Sequence, residues 1–352
     1  MANDSHSDIF EFEQIDECTL CGSRSQHDAK GASWFGVGFS YCICNGCGLK
    51  YMRPRPTTES YERFYKDQYW QQNMQGAGYA SANEYNDTEQ DQLKLRMPKY
   101  EKAYRVVKEH LLETCKVDKD LRVLEVGCAF GFTLEWLNKD FGCKVYGLEP
   151  SSEAIARCES AGVPIVARTA EEMFFNTGKV PEEKKYDVIL LRHVLDTLSK
   201  PVEVMKGIRE YLADGGLLLI HSVNVEFYDA MDPYHPFLYS PDTARRLMAL
   251  AGFDVFRLDA SPSPSDHEIA VGITKPSYQQ AIFARKGDAR RLPMPNTSAL
   301  EVMATHERGK QVMAWAELNA KDLVRRLALK SAEKSKRVFE SAAPPPFRSK
   351  NA

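Results

Sequence analysis

A chain of 352 residues is long for one core and points to a main domain with appended modules. With 43% hydrophobic and 27% charged residues it is neither globally disordered nor fibrous, and its apolar runs fall far short of the roughly 20 residues of a membrane helix. The net charge of −3 is unevenly spread: residues 281–352 hold 15 Lys/Arg against 7 Asp/Glu, so the body before them is acidic and repels a phosphate backbone. Asp4, Asp8, Glu11 and Glu13 precede any apolar block, the wrong charge and order for a secretory signal, and a cytoplasmic setting is expected.

The first segment, residues 1–58, is built around cysteine. The nine cysteines of the chain are an odd number, and five crowd into residues 18–47, which argues for metal rather than a disulfide framework. Cys18-x2-Cys21 and Cys44-x2-Cys47 are separated by 22 residues, the spacing of paired knuckles around zinc. Each pair is followed by glycine, Gly22 and Gly48, which permits the positive backbone angles of a tight turn. With residues 33–41 reading as strand, the spacing predicts a small, separate zinc ribbon. Four thiolates leave no open coordination position, so the expected Zn2+ is structural. Cys42 falls outside the spacing and reads as an apolar strand position.

Residues 59–117 are polar at first and then helical in period from Pro98 through Tyr100, Tyr104, Val107 and Leu111, a linker and connecting helix. Over residues 118–276 short apolar runs alternate with amphipathic stretches, the signature of an α/β sheet covered by helices on both faces. After Pro276 strand signals fade. A helical pattern through Val312, Trp315, Asn319, Leu323 and Leu327 and a Pro-rich end at Pro344, Pro345 and Pro346 make residues 277–352 a helical extension with a disordered tail.

The chemistry concentrates where the strand Arg122-Val123-Leu124-Glu125-Val126 enters the turn Gly127-Cys128-Ala129-Phe130-Gly131. Small residues let a ligand approach the backbone, and the amphipathic helix that follows presents unpaired amides. The next strand ends in Glu149, 22 residues beyond Gly127, where a carboxylate can accept both hydroxyls of a ribose. Gly127-x-Ala129-x-Gly131 lacks the Gly-x-Gly-x-x-Gly order that packs around a pyrophosphate, so a nucleoside without phosphates fits better.

These residues carry a family resemblance. Glu125-x-Gly127-Cys128-Ala129-x-Gly131, then Gly147-Leu148-Glu149-Pro150-Ser151, resembles the class I S-adenosylmethionine (SAM)-dependent methyltransferases. Tyr186 to Asp196 is similar to that family's fourth strand and turn, and Leu212 to Ile220 to its entry into strand five. The cysteine pairs and the run from Met52 to Tyr65 and Tyr69 resemble a group within it that carries an N-terminal zinc module and includes deoxysugar C-methyltransferases. The resemblance implies a Rossmann-like sheet of seven strands, the last antiparallel, and SAM as cofactor. It places Gly127, Cys128, Ala129 and Gly131 along the methionine part, Glu149 at the ribose, and Ala170 and Glu171 at the adenine. Glu125, Pro150 and Arg192 complete the expected cofactor set.

Methyl transfer to oxygen or to an acidic carbon is helped by a general base, for which histidine is suited near neutral pH. His193 after strand four, His221 at the end of strand five and His235 on the insertion that follows all lie toward the carboxyl edge, where open α/β sheets bind ligands. Relatives often carry His-Val-Leu-Glu-His where this chain has His193-Val194-Leu195-Asp196-Thr197, so position 197 offers no base. The expected acceptor is a small molecule or glycan precursor. Two other readings stand beside it: RNA methylation through the zinc module and the basic tail, made unfavourable by the acidic body, and a SAM-binding scaffold without turnover. The sequence leaves the oligomeric state open.

Overall fold

The structure, a computed structural model, describes residues 10–34, 37–67, 89–175, 177–225, 234–260 and 279–287. The helical pattern of 312–327 and the Pro-rich end lie outside them. No helix among the described residues is long and apolar enough to cross a membrane.

The N-terminal ribbon comprises β1 (Phe12–Glu13), β2 (Gln26–Trp34), β3 (Val37–Cys44), β4 (Lys50–Met52) and β5 (Arg55–Pro56), and α1 (Thr58–Asp67) follows. The single strand expected over residues 33–41 is instead a hairpin, with Trp34 opposite Val37 and Ser33 opposite Gly38. The run of Trp, Val and Phe has β propensity on both sides of the turn, and composition alone does not divide it. After α2 (Glu89–Thr114), which matches the helical period through Val107 and Leu111, come β6 (Arg122–Val126), α3 (Phe132–Phe141), β7 (Lys144–Leu148), α4 (Ser152–Ser160), β8 (Ile165–Ala167) and α5 (Ala170–Phe174). Then follow β9 (Tyr186–Arg192), α6 (Pro201–Tyr211), β10 (Leu212–Val223), β11 (Phe237–Leu238), α7 (Pro241–Leu250), β12 (Phe253–Ala260) and β13 (Gln279–Lys286).

Seven strands form one sheet in the order β12-β13-β10-β9-β6-β7-β8, parallel from β10 through β8, with β13 antiparallel to both its neighbours. The strand order reverses between β6 and β9, which opens a crevice at the carboxyl ends of those two strands. β13 lies past the boundary expected at residue 276 and belongs to the sheet, not to a helical extension. Ala281, Ile282, Phe283 and Ala284 are buried on both faces of the sheet, so the strand shows no polar alternation by which to recognise it. Val123, Val145, Val188, Leu190, Leu219 and Phe283 meet α2 and α3 through Val107, Leu111, Leu134 and Leu137. Leu124, Leu148, Ile189, Leu191, Leu218 and Ile220 meet α5, α6 and α7 through Phe174, Met205 and Leu247. Gly207 of α6 is required there, because a Cβ would lie 2.0 Å from the Phe174 carbonyl oxygen.

The ribbon is not a body apart. Cys18, Leu20, Cys44, Leu49 and Tyr51 share one core with Ile220, Phe237 and Tyr239, and β11 adds to the ribbon as its edge strand, giving the order β11-β4-β3-β2. A ribbon of this size has little core of its own and gains burial by docking.

Candidate functional site

The turn after β6 stands at the reversal of strand order. Gly127 (φ 66°), Ala129 (φ 50°) and Gly131 (φ 71°) are all left-handed, so the backbone coils tightly before α3 begins. A Cβ at Gly127 would sit 2.6 Å from Val194 Cγ2, and one at Gly131 2.8 Å from Cys158 Sγ. The turn is thus wedged between the loop after β9 and helix α4. Cys128 is buried behind it, its thiol 4.0 Å from that of Cys158, so only its backbone belongs to the ligand side. Arg157, missed in the sequence, donates to the Phe130 carbonyl oxygen at 2.7 Å and pairs with Glu135.

Glu149 closes the neighbouring strand and reaches back to the turn. Ala129 N–H donates to its Oε2 at 2.9 Å and Ser151 N–H to its Oε1 at 3.1 Å. Burial nonetheless pushes its pKa up to about 7, the two amides opposing the shift. Ser151, which ends the motif around Glu149, caps α4 by accepting from Ala154 N–H, a pattern visible in its place just before an amphipathic run. Pro150 is half-buried, and its carbonyl oxygen accepts from Arg168 at 3.3 Å. Ala170 is buried in the first turn of α5, while the Glu171 carboxylate accepts from both the N–H and the hydroxyl of Ser199, at 3.1 and 2.9 Å. Glu171 is therefore committed to the loop that precedes α6.

On the α2-covered face, Glu125 and Arg192 project from adjacent strands. Arg192 Nε donates to Glu125 Oε1 at 2.6 Å, with the Glu125 side chain fully buried. Glu125 Oε2 has no hydrogen-bond partner among the described residues. Burial raises its pKa, and Arg192 opposes the rise. A buried carboxylate with an unsatisfied oxygen is costly unless something completes it. An ammonium group on Glu125 Oε2, with a carboxylate against the Arg192 guanidinium, would satisfy both side chains. That is the donor set of an amino-acid end, and a ribose diol on Glu149 supplies the nucleoside end, so the residues present fit SAM.

The three histidines are in unlike settings. His193 is exposed, in a left-handed conformation (φ 55°), and its N–H donates to the His221 carbonyl oxygen at 2.7 Å. His221 is buried, its Nε2 3.1 Å from Nδ1 of His110 on α2. Burial above all, then the neighbouring His110, Arg192 and His193, depress its pKa well below the ordinary value, so it is a neutral, internally paired imidazole. His235 is half-buried, its carbonyl oxygen accepting from the Tyr41 hydroxyl at 2.5 Å. The structure thus separates His221 from the two histidines with access to solvent. His110, 111 positions away from His221, gave no signal in the sequence.

The four cysteines converge. The Sγ atoms of Cys18, Cys21, Cys44 and Cys47 all lie within 4.8 Å of one another, with Cys18 to Cys47 at 3.5 Å and Cys21 to Cys44 at 3.4 Å. Zinc–sulfur bonds of about 2.3 Å in a tetrahedron require sulfurs about 3.8 Å apart, and the cluster fits. Gly22 (φ 70°) and Gly48 (φ 78°) form the knuckle turns, their N–H groups donating to the carbonyl oxygens of Cys18 and Cys44 at 2.8 and 2.9 Å.

Residues 96–258 match a family model described as a methyltransferase domain, from within α2 to β12. An uncharacterized protein of Haemophilus influenzae is 35% identical over 114 residues, which cover 30% of this chain and 43% of that protein. Among solved structures, a SAM-dependent methyltransferase from Mesorhizobium loti is similar with a TM-score of 0.41 at 14% identity, covering 50% of this chain and 96% of that one. Another from Aquifex aeolicus has a TM-score of 0.39 at 20% identity, covering 51% and 88%. The match to a methyltransferase domain thus spans somewhat less than half of the chain. The seven-stranded sheet that contains the matched segment is completed by the antiparallel β13, which lies beyond it.

Proposed function

We propose that the protein transfers a methyl group from SAM to oxygen or carbon of a small molecule or sugar precursor, in the cytoplasm, with a structural zinc in its ribbon. The observation that carries this reading is the unpartnered, fully buried Glu125 Oε2 beside Arg192, at the same carboxyl edge as the turn held by Glu149. When bound, SAM supplies a methyl group already activated by its sulfonium charge. The chain's own task is then alignment and exclusion of water. Gly127 and Gly131 admit the ligand to the backbone, Glu149 accepts from the ribose, and Glu125 with Arg192 holds the amino-acid end. His193 and His235 are the candidates to take a proton from an acceptor hydroxyl or acidic carbon. His221 supports His193 through its carbonyl oxygen. The cysteine module resembles that of the group that includes deoxysugar C-methyltransferases, and this resemblance favours a sugar-type acceptor.

Incubation with methyl-labelled SAM and fractionated host metabolites, followed by mass analysis, tests the proposal. A labelled small molecule is expected. Label found only in RNA, or cofactor binding with no labelled product in any fraction, would overturn it.

A further inference from the structure

We propose that the metal ribbon is the template for the segment 234–240, holding the His235 backbone through Tyr41; this rests on reading His235 as part of the acceptor side. β11 has only two residues and cannot hold itself. It is held by others. Tyr41, nearly fully buried on β3, donates its hydroxyl to the His235 carbonyl oxygen at 2.5 Å, and Met52 N–H donates to that of Pro236 at 2.8 Å. Phe237 and Leu238 then pair with Tyr51 and Lys50 of β4. Tyr234 stacks on Phe64 of α1, ring centroids 5.2 Å apart. The segment also meets the main sheet, Leu238 sharing a core with Val223 and Val225, and Val225 N–H and Gln280 Nε2 both donating to the Tyr239 carbonyl oxygen at 3.1 Å.

The two strands that hold His235 are joined by a metal knuckle. β3 ends at Cys44, β4 begins three residues after Cys47, and the turn between them is closed by Cys44 N–H donating to the Leu49 carbonyl oxygen at 2.9 Å. Coordination of Cys44 and Cys47 therefore sets the register of β3 against β4, in which Tyr41 lies opposite Met52. Both residues bond the His235-Pro236 dipeptide. The contacts of the cofactor turn run elsewhere, to Glu149, Arg157, Cys158 and Val194. The metal module governs the geometry of the acceptor end and leaves the cofactor turn to the main sheet.

Hydrogen exchange followed by mass spectrometry on the full-length, zinc-loaded protein tests this, with S-adenosylhomocysteine titrated in parallel by calorimetry. In Tyr41→Phe, amides of residues 234–240 should exchange about fivefold faster, the loss of one hydrogen bond of ordinary strength. Exchange in β6 and β9, and the affinity for S-adenosylhomocysteine, should stay as in the unaltered protein. Zinc chelation should accelerate the same amides further. Unchanged exchange at 234–240, or acceleration spread equally over β6 and β9, would overturn the proposal. Failure of the unaltered protein to bind S-adenosylhomocysteine would instead overturn the cofactor reading on which the functional proposal stands.

Discussion

Replacing Glu149 by glutamine should weaken cofactor binding and remove the part of its pH dependence that this carboxyl group carries. The carboxylate is 5% exposed, and burial lifts its pKa from 4.5 to about 7. A carboxyl group whose folded-state pKa is raised stabilises the fold fully below its unfolded value. That contribution is lost as pH rises toward 7, when the buried group must ionise. A shift of this size corresponds to about 3 kcal/mol. In the absence of ligand, Glu149→Gln should therefore gain about that much stability relative to the unaltered protein between pH 4.5 and pH 8, read by denaturant unfolding at each pH. Binding runs the other way. A ribose diol needs an ionised acceptor, and hydrogen bonds to a charged group are worth about 1.5–3 kcal/mol each. Glutamine keeps one oxygen and no charge, so a loss of about 2–4 kcal/mol, roughly 30- to 1,000-fold in dissociation constant, is expected at pH 8. Below pH 7 the Glu149 carboxyl takes up a proton and should cost the unaltered protein about tenfold in affinity per pH unit, a component that the variant should lack. Calorimetry with S-adenosylhomocysteine from pH 5.5 to 8.5 decides it. Equal affinities at pH 8, or a variant that keeps the slope of the unaltered protein, would refute the ribose assignment.

Arg192→Ala leaves the buried Glu125 without its counter-ion and should cost about 3–5 kcal/mol in urea unfolding at pH 8. The cost should shrink as pH falls, because burial raises the Glu125 pKa and favours its neutral form. Protein produced with zinc available should hold about one zinc per chain by elemental analysis, and Cys47→Ser should lower both the zinc content and the melting temperature. Gly207→Ala drives a methyl group onto the Phe174 carbonyl and should destabilise the domain by about 2–3 kcal/mol in thermal unfolding, more than an exposed-helix alanine would.

The features legible in the sequence are those whose physics is local. Two cysteine pairs with glycine after each encode their own knuckles, because a metal turn closes within five residues. The helix Phe132–Phe141 falls between Gly131 and Gly142, both left-handed, and so marks its own ends. Glu149 was placed by its distance from Gly127, since a strand, a turn and a helix occupy a nearly fixed length of chain. Tertiary structure decided what lies between distant segments. It separated His221 from His193 and His235 by pairing it with His110, and joined Glu125 to Arg192 across 67 positions. It drew β13 into the sheet between β12 and β10, where burial on both faces erases the alternation that would reveal a strand. And it bound the cysteine ribbon to the segment carrying His235, through a hydrogen bond between residues 194 positions apart, because a small ribbon and a two-residue strand each bury enough surface only against the other.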